Sequence, residues 1–369
     1  MNALTYQGVE QLRVEDVPPP RIESPGDAIV QVDVAGLCGS DLHVYHGRET
    51  GLDRGTVMGH EFAGPVLEVG SAVVNWRPGD RVVSPFTTSC GRCAPCAAGL
   101  TSRCERGELF GWVENGRGLH GAQAQRVRVP LADTTLARVP DGLELEVALF
   151  AGDILATGYF GAEAAGAGAG TRVAIVGCGP VGLMAVLAAR ALGAAEVVAL
   201  DRVAERLALA RRFGARAAPL EEAAELEPFD AVVEAVGNPA ATRLAFELAR
   251  PGGTLAAVGV HTEEHFAFSP GEAYDKNLTY TAGRCPVRHY LDRALTLAGE
   301  RRAELTSLIS HRLPLADGVR AYDLFARRLD GCTKVVLLPN EAPARDCAQA
   351  KASSRLLRSG GTSTFEPVR

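Results

Sequence analysis

The sequence predicts an α/β fold with two domains, one mostly β and one a doubly wound domain around a parallel sheet. Three observations predict it. The chain has 369 residues, enough for two domains. Residues 26–140 alternate short β-branched segments with Gly, Pro and Asp. From Glu163 onward, apolar strand-like segments instead alternate with helical ones.

The first half carries the short strand-like segments. They are AIVQVDVAG, GPVLEVG, RVVSP and AQRVRVP, each bounded by turn residues. Strands this short bury their apolar faces only within a sheet of several neighbours. We therefore expect residues 1–153 to belong to the compact, mostly β domain.

The second half begins with a βαβ unit, EAAGAGAGTRVAIVGCGPVGLMAVLAARALGAAEVVALD. The pattern continues through FDAVVEAVG, a helix from about Ala240 to Ala249, GGTLAAVGV, and a strand near Asn277 to Gly283. Buried strands separated by helices are typical of a parallel, doubly wound Rossmann sheet. We expect residues 154–289 to form this domain.

The C-terminal part changes character twice. From about Pro286 to Leu338 it carries amphipathic helical segments, HYLDRALTLAGE and DGVRAYDLFARRL, and a strand, KVVLLP. We expect residues 290–339 to return to the first domain. Residues 340–369 lose apolar periodicity, which predicts a disordered tail.

Composition narrows the function classes. A net charge of -6 and a sequence pI near 5.8 do not favour a nucleic-acid partner, so a small-molecule partner is expected. We find no apolar run long enough to span a bilayer and no secretory signal at the N-terminus. These features predict a cytoplasmic protein without a membrane partner.

Four of the nine cysteines lie in one loop, CGRCAPCAAGLTSRC. They are Cys90, Cys93, Cys96 and Cys104. Four closely spaced thiols in a glycine- and proline-containing loop favour a closed, structural zinc site over disulfides. An iron-sulfur cluster, or four unrelated thiols, are the alternatives.

A glycine-rich turn, GCGPVG, follows the strand TRVAIV and opens a helix. In this context its glycines allow the backbone to approach a pyrophosphate at the positive helix end. Tight helix packing is the alternative reason for such a turn. The candidate cofactor-binding residues are Gly177, Gly179, Pro180, Val181 and Gly182.

Asp201 ends the second strand of the βαβ unit, 19 residues after Gly182. A carboxylate there accepts hydrogen bonds from ribose hydroxyls and repels a 2′-phosphate, which favours NAD over NADP. Arg202 follows it and is interpreted as a surface charge or a stacking partner for adenine, although a guanidinium could also receive a 2′-phosphate.

Two further segments hold a candidate metal site: Cys38 in GLCGSDLH and His60 in MGHEFAG. With the cysteine loop and the dinucleotide turn, these segments resemble the zinc-containing medium-chain dehydrogenase/reductase superfamily, which includes alcohol, sorbitol and threonine dehydrogenases. The resemblance covers about residues 20–338. It implies a GroES-like catalytic domain beside the Rossmann domain, two Zn²⁺ per chain, a nicotinamide cofactor, and a homodimer or homotetramer.

The resemblance also implies three ligands for the catalytic zinc. Cys38 and His60 match directly, and the third falls in LFAGDILATGYFGAE, where similarity to the D-x-x-x-T-G branch gives Asp153. Glu163 is the alternative ligand, and helix capping is the alternative role of Asp153. The family pattern further implies that Glu61 either enters the metal shell or orients it.

Ser40 and His43 match the family's proton relay, which carries the alcohol proton away from the zinc. Ser40 could alternatively bond only the backbone of its turn. Weaker matches place Thr157 at the nicotinamide ring and Lys334 at the pyrophosphate. The others, Val236, Gly237, Val258 and Gly259, would lie along the cofactor strands or simply pack there.

The expected activity is therefore that of a zinc-dependent alcohol dehydrogenase, which oxidises an alcohol to an aldehyde or ketone, reversibly, by hydride transfer to NAD. Formaldehyde, polyol and threonine dehydrogenases of the same superfamily are alternatives, as is a non-enzymatic, zinc-stabilised dinucleotide-binding protein. A zinc-free quinone or enoyl reductase would not need the histidine of the GHE segment or the cysteine loop. Candidate pocket walls, which could also be core anchors, are Tyr45, Phe86, Phe110 and Trp112.

Overall fold

The computed structural model describes residues 1–262 and 265–341. Two sheets organise these residues, one mixed with eight strands and one parallel with six. Two two-stranded hairpins accompany them. The predicted α/β class, with a mostly β part and a doubly wound part, is confirmed. The predicted disordered tail lies, from residue 342 onward, outside the described residues.

Residues 1–151 form ten short strands and four short helices. The strands are β1 (Asn2–Gly8), β2 (Gln11–Asp16), β3 (Ala28–Gln31), β4 (Val34–Gly36), β5 (Glu61–Val69), β6 (Arg81–Val83), β7 (Trp112–Glu114), β8 (Arg117–Leu119), β9 (Arg126–Val129) and β10 (Ala137–Arg138). The helices are α1 (Asp41–Tyr45), α2 (Ala94–Ala97), α3 (Ala132–Thr135) and α4 (Leu145–Ala151).

The middle of the chain alternates longer helices with buried strands. Its elements are α5 (Ile154–Ala164), β11 (Arg172–Val176), α6 (Pro180–Ala191), β12 (Glu196–Asp201), α7 (Ala204–Arg212), β13 (Arg216–Pro219), β14 (Phe229–Glu234), α8 (Pro239–Leu248), β15 (Ala249–Ala257), α9 (Pro270–Lys276) and β16 (Thr279–Ala282). The last elements are α10 (Val287–Glu300), α11 (Arg302–Leu308), β17 (Ile309–Pro314), α12 (Gly318–Arg327) and β18 (Lys334–Leu338).

The mixed sheet joins both ends of the chain. Its main path runs β10-β6-β5-β4-β18-β17, and β3 pairs with both β5 and β9. The last strand therefore lies antiparallel to β4, with Val336 opposite Gly36. This pairing returns the C-terminal strands to the first sheet, while the exact domain boundaries stay a prediction.

The parallel sheet has the strand order β13-β12-β11-β14-β15-β16. All six strands are parallel, but the order in which the chain adds them reverses between β11 and β14. At such a switch point the carboxyl ends of the strands open a crevice for a ligand. The glycine turn follows β11 directly, and α6 then begins with Pro180 in its first turn. The sheet therefore presents the predicted dinucleotide turn at its own switch point.

Helices α4 and α5 form the apolar centre between the two sheets. Residues 145–164 are long and apolar enough to cross a membrane by composition alone, but most of this stretch is buried within the protein. Its residues belong to the same core cluster as Val173 of β11 and Val336 of β18. This helical stretch is therefore a core element, and Asp153 lies in the break between its two halves.

Gly158 lets α5 and α6 pack closely. A Cβ atom at Gly158 would lie 2.5 Å from the backbone nitrogen of Ala185 on α6. We expect Gly158→Ala to lower the free energy of unfolding by about 1–3 kcal/mol, because two backbones would have to separate. Urea denaturation measures the change. Gly168→Ala is the matched control, since a Cβ there meets open space; equal losses in both variants would contradict the packing argument.

Candidate active site

Four ligand-bearing side chains converge where the two sheets meet. Cys38 lies in the turn after β4, His60 and Glu61 lie at the start of β5, and Asp153 lies between α4 and α5. One ligand atom from each residue lies within 4.8 Å of the others. The Nε2 atom of His60 lies 3.2 Å from Oδ2 of Asp153. The structure thus brings the predicted ligand set into one cluster.

The alternatives for the third ligand differ in their surroundings. Asp153 precedes α5, but its side chain makes no capping hydrogen bond. Glu163 lies at the other end of α5, where it accepts hydrogen bonds from Tyr290 Oη at 2.6 Å and from Arg293 at 2.7 Å. Asp153 therefore contacts the other candidate ligands instead of capping the helix, whereas Glu163 is bound to Tyr290 and Arg293.

Asp41 lies directly behind His60 and is absent from the predicted site. Its Oδ1 atom lies 3.2 Å from Nδ1 of His60, and its Oδ2 atom accepts the backbone N–H of Cys38 at 2.9 Å. A carboxylate on the far nitrogen of a histidine ligand fixes the ring orientation and tautomer. The sequence signal was available, because Asp41 follows Cys38 by three residues in the same turn.

Burial and charge oppose each other in this cluster. Burial, together with the nearby Asp153 carboxylate, raises the pKa of Cys38 to about 11. Burial alone would lower the pKa of His60, but the charge of Asp41 and the hydrogen bonds of Asp153 and Asp41 outweigh it and raise that pKa well above its ordinary value. Burial would raise the pKa of Asp153, yet His60 lowers it.

This donor set fits a zinc ion. A thiol, an imidazole and a carboxylate are ligands that zinc takes in catalytic sites. The cluster is nearly solvent-free, with Cys38 at 9% and Asp153 at 6% exposure. As zinc ligands, Cys38 would be a thiolate and His60 a neutral imidazole. The thiolate and the buried carboxylates would then outnumber the Lys334 ammonium, and a divalent cation would neutralise the excess negative charge.

Lys334 binds Glu61, a partner that was not predicted for it. Its ammonium donates to Glu61 Oε1 at 2.7 Å and to the Leu37 carbonyl at 2.9 Å, and also contacts Glu61 Oε2. These contacts engage all three of its donors. Lys334 and Glu61 therefore form a buried ion pair within the mixed sheet, and the pyrophosphate contact of Lys334 stays a prediction. Burial still raises the pKa of Glu61 to about 7.

Glycine makes room for Glu61. A Cβ atom at Gly36 would overlap the Glu61 carboxylate, at 1.8 Å from Oε2. Gly36 lies opposite Glu61 in the β4–β5 ladder, so the carboxylate folds over the glycine. The backbone of β4 thus sets where this carboxylate sits beside the cluster.

The two predicted relay residues lie on the same turn, without a direct bond between them. Ser40 Oγ lies 3.3 Å from Nε2 of His60. Within the described residues, Nδ1 of His43 is buried and has no hydrogen-bond partner. Burial lowers the pKa of His43, so the ring is neutral and can accept a proton. A path from Ser40 to His43 needs a bridging hydroxyl from water or a bound molecule.

The four-cysteine loop folds around α2 and brings its thiols together. The Sγ atoms of the four cysteines all lie within 4.8 Å of one another. Backbone amides point at the sulfurs: Cys90 N lies 3.2 Å from Sγ of Cys104, and Arg106 N lies 3.4 Å from it. The amide of Arg92 is the main cause that lowers the pKa of Cys90 to about 6. Four sulfurs at this spacing fit a closed zinc site.

The turn after β11 requires glycine at two positions, Gly177 and Gly182. Gly177 has a φ of +95°. A Cβ at Gly182 would lie 1.7 Å from the Gly177 carbonyl oxygen. Gly179 precedes α6, and Pro180 and Val181 form its first turn. These contacts leave the start of the helix open toward the crevice.

Asp201 anchors the same turn and has an unpredicted arginine partner. Its Oδ2 accepts the backbone N–H of Cys178 at 2.8 Å, and its Oδ1 accepts that of Val203 at 2.9 Å. Arg206, one turn into the next helix, lies 3.6 Å from Oδ2. Arg202 is exposed. The carboxylate therefore faces the turn, and Arg206 is the cation beside it.

The other predicted cofactor residues line the neighbouring strand ends. Val236 packs over Gly177, since a Cβ at Gly177 would lie 2.4 Å from its side chain. Gly237 and Gly259 touch, because a Cβ at Gly259 would lie 2.2 Å from Gly237 N. The buried carboxylate of Glu234 accepts both Val236 N, at 2.7 Å, and Gly237 N, at 2.8 Å. Val258, whose N–H bonds the Glu234 carbonyl, completes this edge.

Thr157 lies close to the candidate metal site formed by Cys38, His60, Glu61 and Asp153. It lies one helical turn after Asp153, whose carbonyl accepts the Thr157 N–H at 2.8 Å. The start of α5 thus carries a cluster residue and a predicted nicotinamide contact on one rigid element.

Of the aromatic candidates for the pocket wall, Phe86 meets the His60 ring edge-on, with 6.2 Å between the ring centroids. Phe110 instead packs against Phe62 in the core.

Comparison with known proteins agrees with this arrangement. The family described as "Alcohol dehydrogenase GroES-like domain" matches residues 24–141, and that described as "Zinc-binding dehydrogenase" matches residues 180–298. Zinc-type alcohol dehydrogenase B from Aspergillus flavus is 40% identical over 342 residues, 88% of this chain and 78% of its own.

Two further relatives cover nearly the whole fold. The solved alcohol dehydrogenase TADH from Thermus sp. ATN1 superposes with a TM-score of 0.87 at 40% identity, over 92% of this chain and 99% of its own. Glutathione-independent formaldehyde dehydrogenase from Pseudomonas aeruginosa is 32% identical over 378 residues, 87% of this chain and 94% of its own.

Proposed function

Since the chain belongs to the zinc-containing alcohol dehydrogenase family of medium-chain dehydrogenases, we propose that it oxidises an alcohol to an aldehyde or ketone, reversibly, with NAD as the hydride acceptor. One observation carries the proposal. Asp153 of the metal cluster and Thr157, the residue predicted to contact the nicotinamide, lie one turn apart at the start of α5. A substrate held at the cluster would therefore lie next to a nicotinamide ring.

The ligands would be divided between two zinc ions. Cys38, His60 and Asp153 would hold the catalytic ion, which supplies a Lewis acid that lowers the pKa of a bound alcohol. The structural ion would be held by Cys90, Cys93, Cys96 and Cys104.

The protein's own residues would move the proton and aim the hydride. Ser40 Oγ, 3.3 Å from Nε2 of His60, is placed to receive the alcohol proton. His43, neutral because burial lowers its pKa, would take that proton through a bridging hydroxyl. Bound NAD would supply the acceptor for the carbon-bound hydrogen of the alcohol and its electron pair, which leaves a carbonyl product and NADH. Thr157 would hold the face of the nicotinamide.

The preference for NAD rests on Asp201. Its buried carboxylate already accepts two backbone amides, so it stays in place as a negative charge beside the turn. A 2′-phosphate there would meet that charge. Arg206 pairs with Asp201 at 3.6 Å. This ion pair leaves less of the positive charge of Arg206 available to a phosphate.

We also propose a cytoplasmic location and a homodimer or homotetramer. All eight cysteines of the described residues are free, as expected in a reducing compartment. Within the described residues, β16 pairs only with β15 and forms the outer edge of the parallel sheet. An edge strand of this kind can pair with the same strand of a second copy.

Metal analysis combined with a substrate screen tests the proposal. We expect about two zinc ions per chain, one for each cluster. Purified protein is then assayed with NAD and with NADP on simple alcohols, diols, formaldehyde and threonine. NADH formation from an alcohol, with kcat/KM for NAD at least about tenfold above that for NADP, is the expected result.

Two results would count against parts of this proposal. About one zinc per chain, with no turnover of any alcohol, would favour a zinc-stabilised dinucleotide-binding protein. A higher kcat/KM with NADP would show that Arg202 and Arg206 receive a phosphate and that the argument from Asp201 is wrong.

A further inference from the structure

A buried hydrogen-bonded chain runs outward from the metal cluster to the last helix. His60 Nδ1 lies 3.2 Å from Asp41 Oδ1. The Nε2 atom of Gln123 lies 3.5 Å from the other oxygen of Asp41. Tyr322 on α12 then donates its hydroxyl to Gln123 Oε1 at 3.0 Å. Asp41 is 5% exposed, and Gln123 and Tyr322 are both 0% exposed.

The orientation of the Gln123 amide is fixed by its neighbours. Its Nε2 faces two groups that only accept hydrogen bonds, the Asp41 carboxylate and the Gly36 carbonyl, the latter at 3.4 Å. Its oxygen must therefore face the Tyr322 hydroxyl, which donates. Turning the amide over would place its oxygen against the Asp41 carboxylate and the Gly36 carbonyl, two groups that only accept, at a cost of a few kcal/mol.

The backbone of Gln123 is also held on both sides. Its N–H bonds the Met58 carbonyl at 2.8 Å, and its carbonyl accepts the Leu4 N–H at 2.8 Å. Its side chain lies against Gly59, where the φ is +89° and an added Cβ would lie 2.4 Å from the Gln123 Cγ. Gly59 directly precedes His60, so the glutamine and the histidine are held by the same turn.

We propose that Gln123 and Tyr322 are positioning residues that hold the Asp41 carboxylate against His60, so that the Nε2 atom of His60 presents its lone pair to the catalytic metal. The proposal rests on the zinc site of the proposed function. An aspartate that accepts the Nδ1–H of a histidine fixes its tautomer and raises its strength as a ligand. The Gln123 amide and the backbone N–H of Cys38 both face Oδ2 of Asp41, at 3.5 Å and 2.9 Å, and so keep Oδ1 turned toward His60.

Tyr322→Phe tests the proposal, because it removes only the hydroxyl that orients Gln123. We expect the affinity for the catalytic zinc to fall about tenfold, the lower end of the range for partners behind a ligand. The affinity is measured on the full-length protein by competition with a chelator, and zinc in the four-cysteine site should stay bound. Gln123→Met, which cannot donate to Asp41, should lose at least as much.

A double-mutant cycle separates positioning from general loosening. In an Asp41→Asn background, Tyr322→Phe should change zinc affinity by less than about twofold, because the carboxylate it orients is gone. If Tyr322→Phe lowered zinc affinity in the Asp41→Asn background by the same factor as in the unmodified protein, the proposal would be overturned.

Tyr290→Phe is the matched control, since it removes another buried tyrosine hydroxyl bond, to Glu163 at 2.6 Å, outside the chain. It should leave the zinc affinity unchanged, and an equal loss there would overturn the proposal.

Cys38→Ala distinguishes failure of the proposed zinc site from failure of the positioning role. If that variant keeps both zinc ions, the proposed metal site itself is wrong; if it loses one while Tyr322→Phe keeps full affinity, only the positioning role fails.

Discussion

Cys38→Ala is expected to lower the rate of alcohol oxidation by on the order of 10³-fold or more, because the Lewis acid contributes several kcal/mol to such reactions. Cys38 supplies the only sulfur of its cluster. Without it, His60 and Asp153 remain as two ligands beside Glu61, a set that holds zinc less tightly. Steady-state rates with NAD and the alcohol found most active in the screen measure the loss.

Binding of NADH should survive the same substitution. The glycine turn, Asp201 and the Glu234 edge all belong to the parallel sheet and do not contact the cysteine. A fluorescence titration with NADH should therefore give a Kd near that of the unmodified protein. Cys332→Ala is the matched control, because Cys332 is partly buried and lies outside both metal clusters. Full activity in Cys38→Ala would contradict the assignment of the catalytic site.

Local motifs were predictable from the sequence because all the residues that form them are close together in the chain. The glycine turn between β11 and α6 and the four-cysteine loop both need only a short segment to specify a geometry. The parallel arrangement of the second sheet was predictable from the alternation of strands and helices, but its strand order was not predicted. Helix α9 was missed, although Ser269 and Glu272 form a capping box that marks its start.

Pairs that the fold alone brings together were harder to predict. Asp153 lies 93 residues from His60, and only the resemblance to one branch of the family suggested it. Gln123 lies 82 residues from Asp41 and carries no pattern beyond that of an ordinary polar residue. It contacts Asp41 because the fold brings two distant segments together, which no local periodicity encodes.

The sequence did not reveal the partner of Lys334. Similarity to the family suggested a contact with the pyrophosphate of the cofactor, which stays a prediction. The structure places β18 beside β4, so that the ammonium bonds Glu61, 273 residues away in sequence. A lone lysine in an apolar strand is better read as the partner of a buried acid, since a buried cation needs a counter-charge.

Lys334→Met is expected to lower the free energy of unfolding by about 3–5 kcal/mol, because it leaves the Glu61 carboxylate buried without its cation. Lys334 is 1% exposed and Glu61 is 0% exposed, so solvent cannot replace the lost partner. Urea denaturation at fixed zinc concentration measures the change. A methionine keeps most of the lysine side-chain volume, which separates the loss of charge from the loss of packing.

The double variant Glu61→Gln with Lys334→Met should recover part of this loss, because a neutral pair of similar size can be buried at less cost than one unpaired charge. Arg327→Met is the control for an exposed ion pair. Its guanidinium bonds Asp323 at 2.7 Å on the surface of α12, and its loss should change stability far less. If Lys334→Met were no more destabilised than Arg327→Met, or if the double variant were no more stable than Lys334→Met alone, the buried pair would not be the anchor that holds Glu61 beside the metal cluster. Glu61 would then be free to turn toward the ligands Cys38 and His60 at little energetic cost.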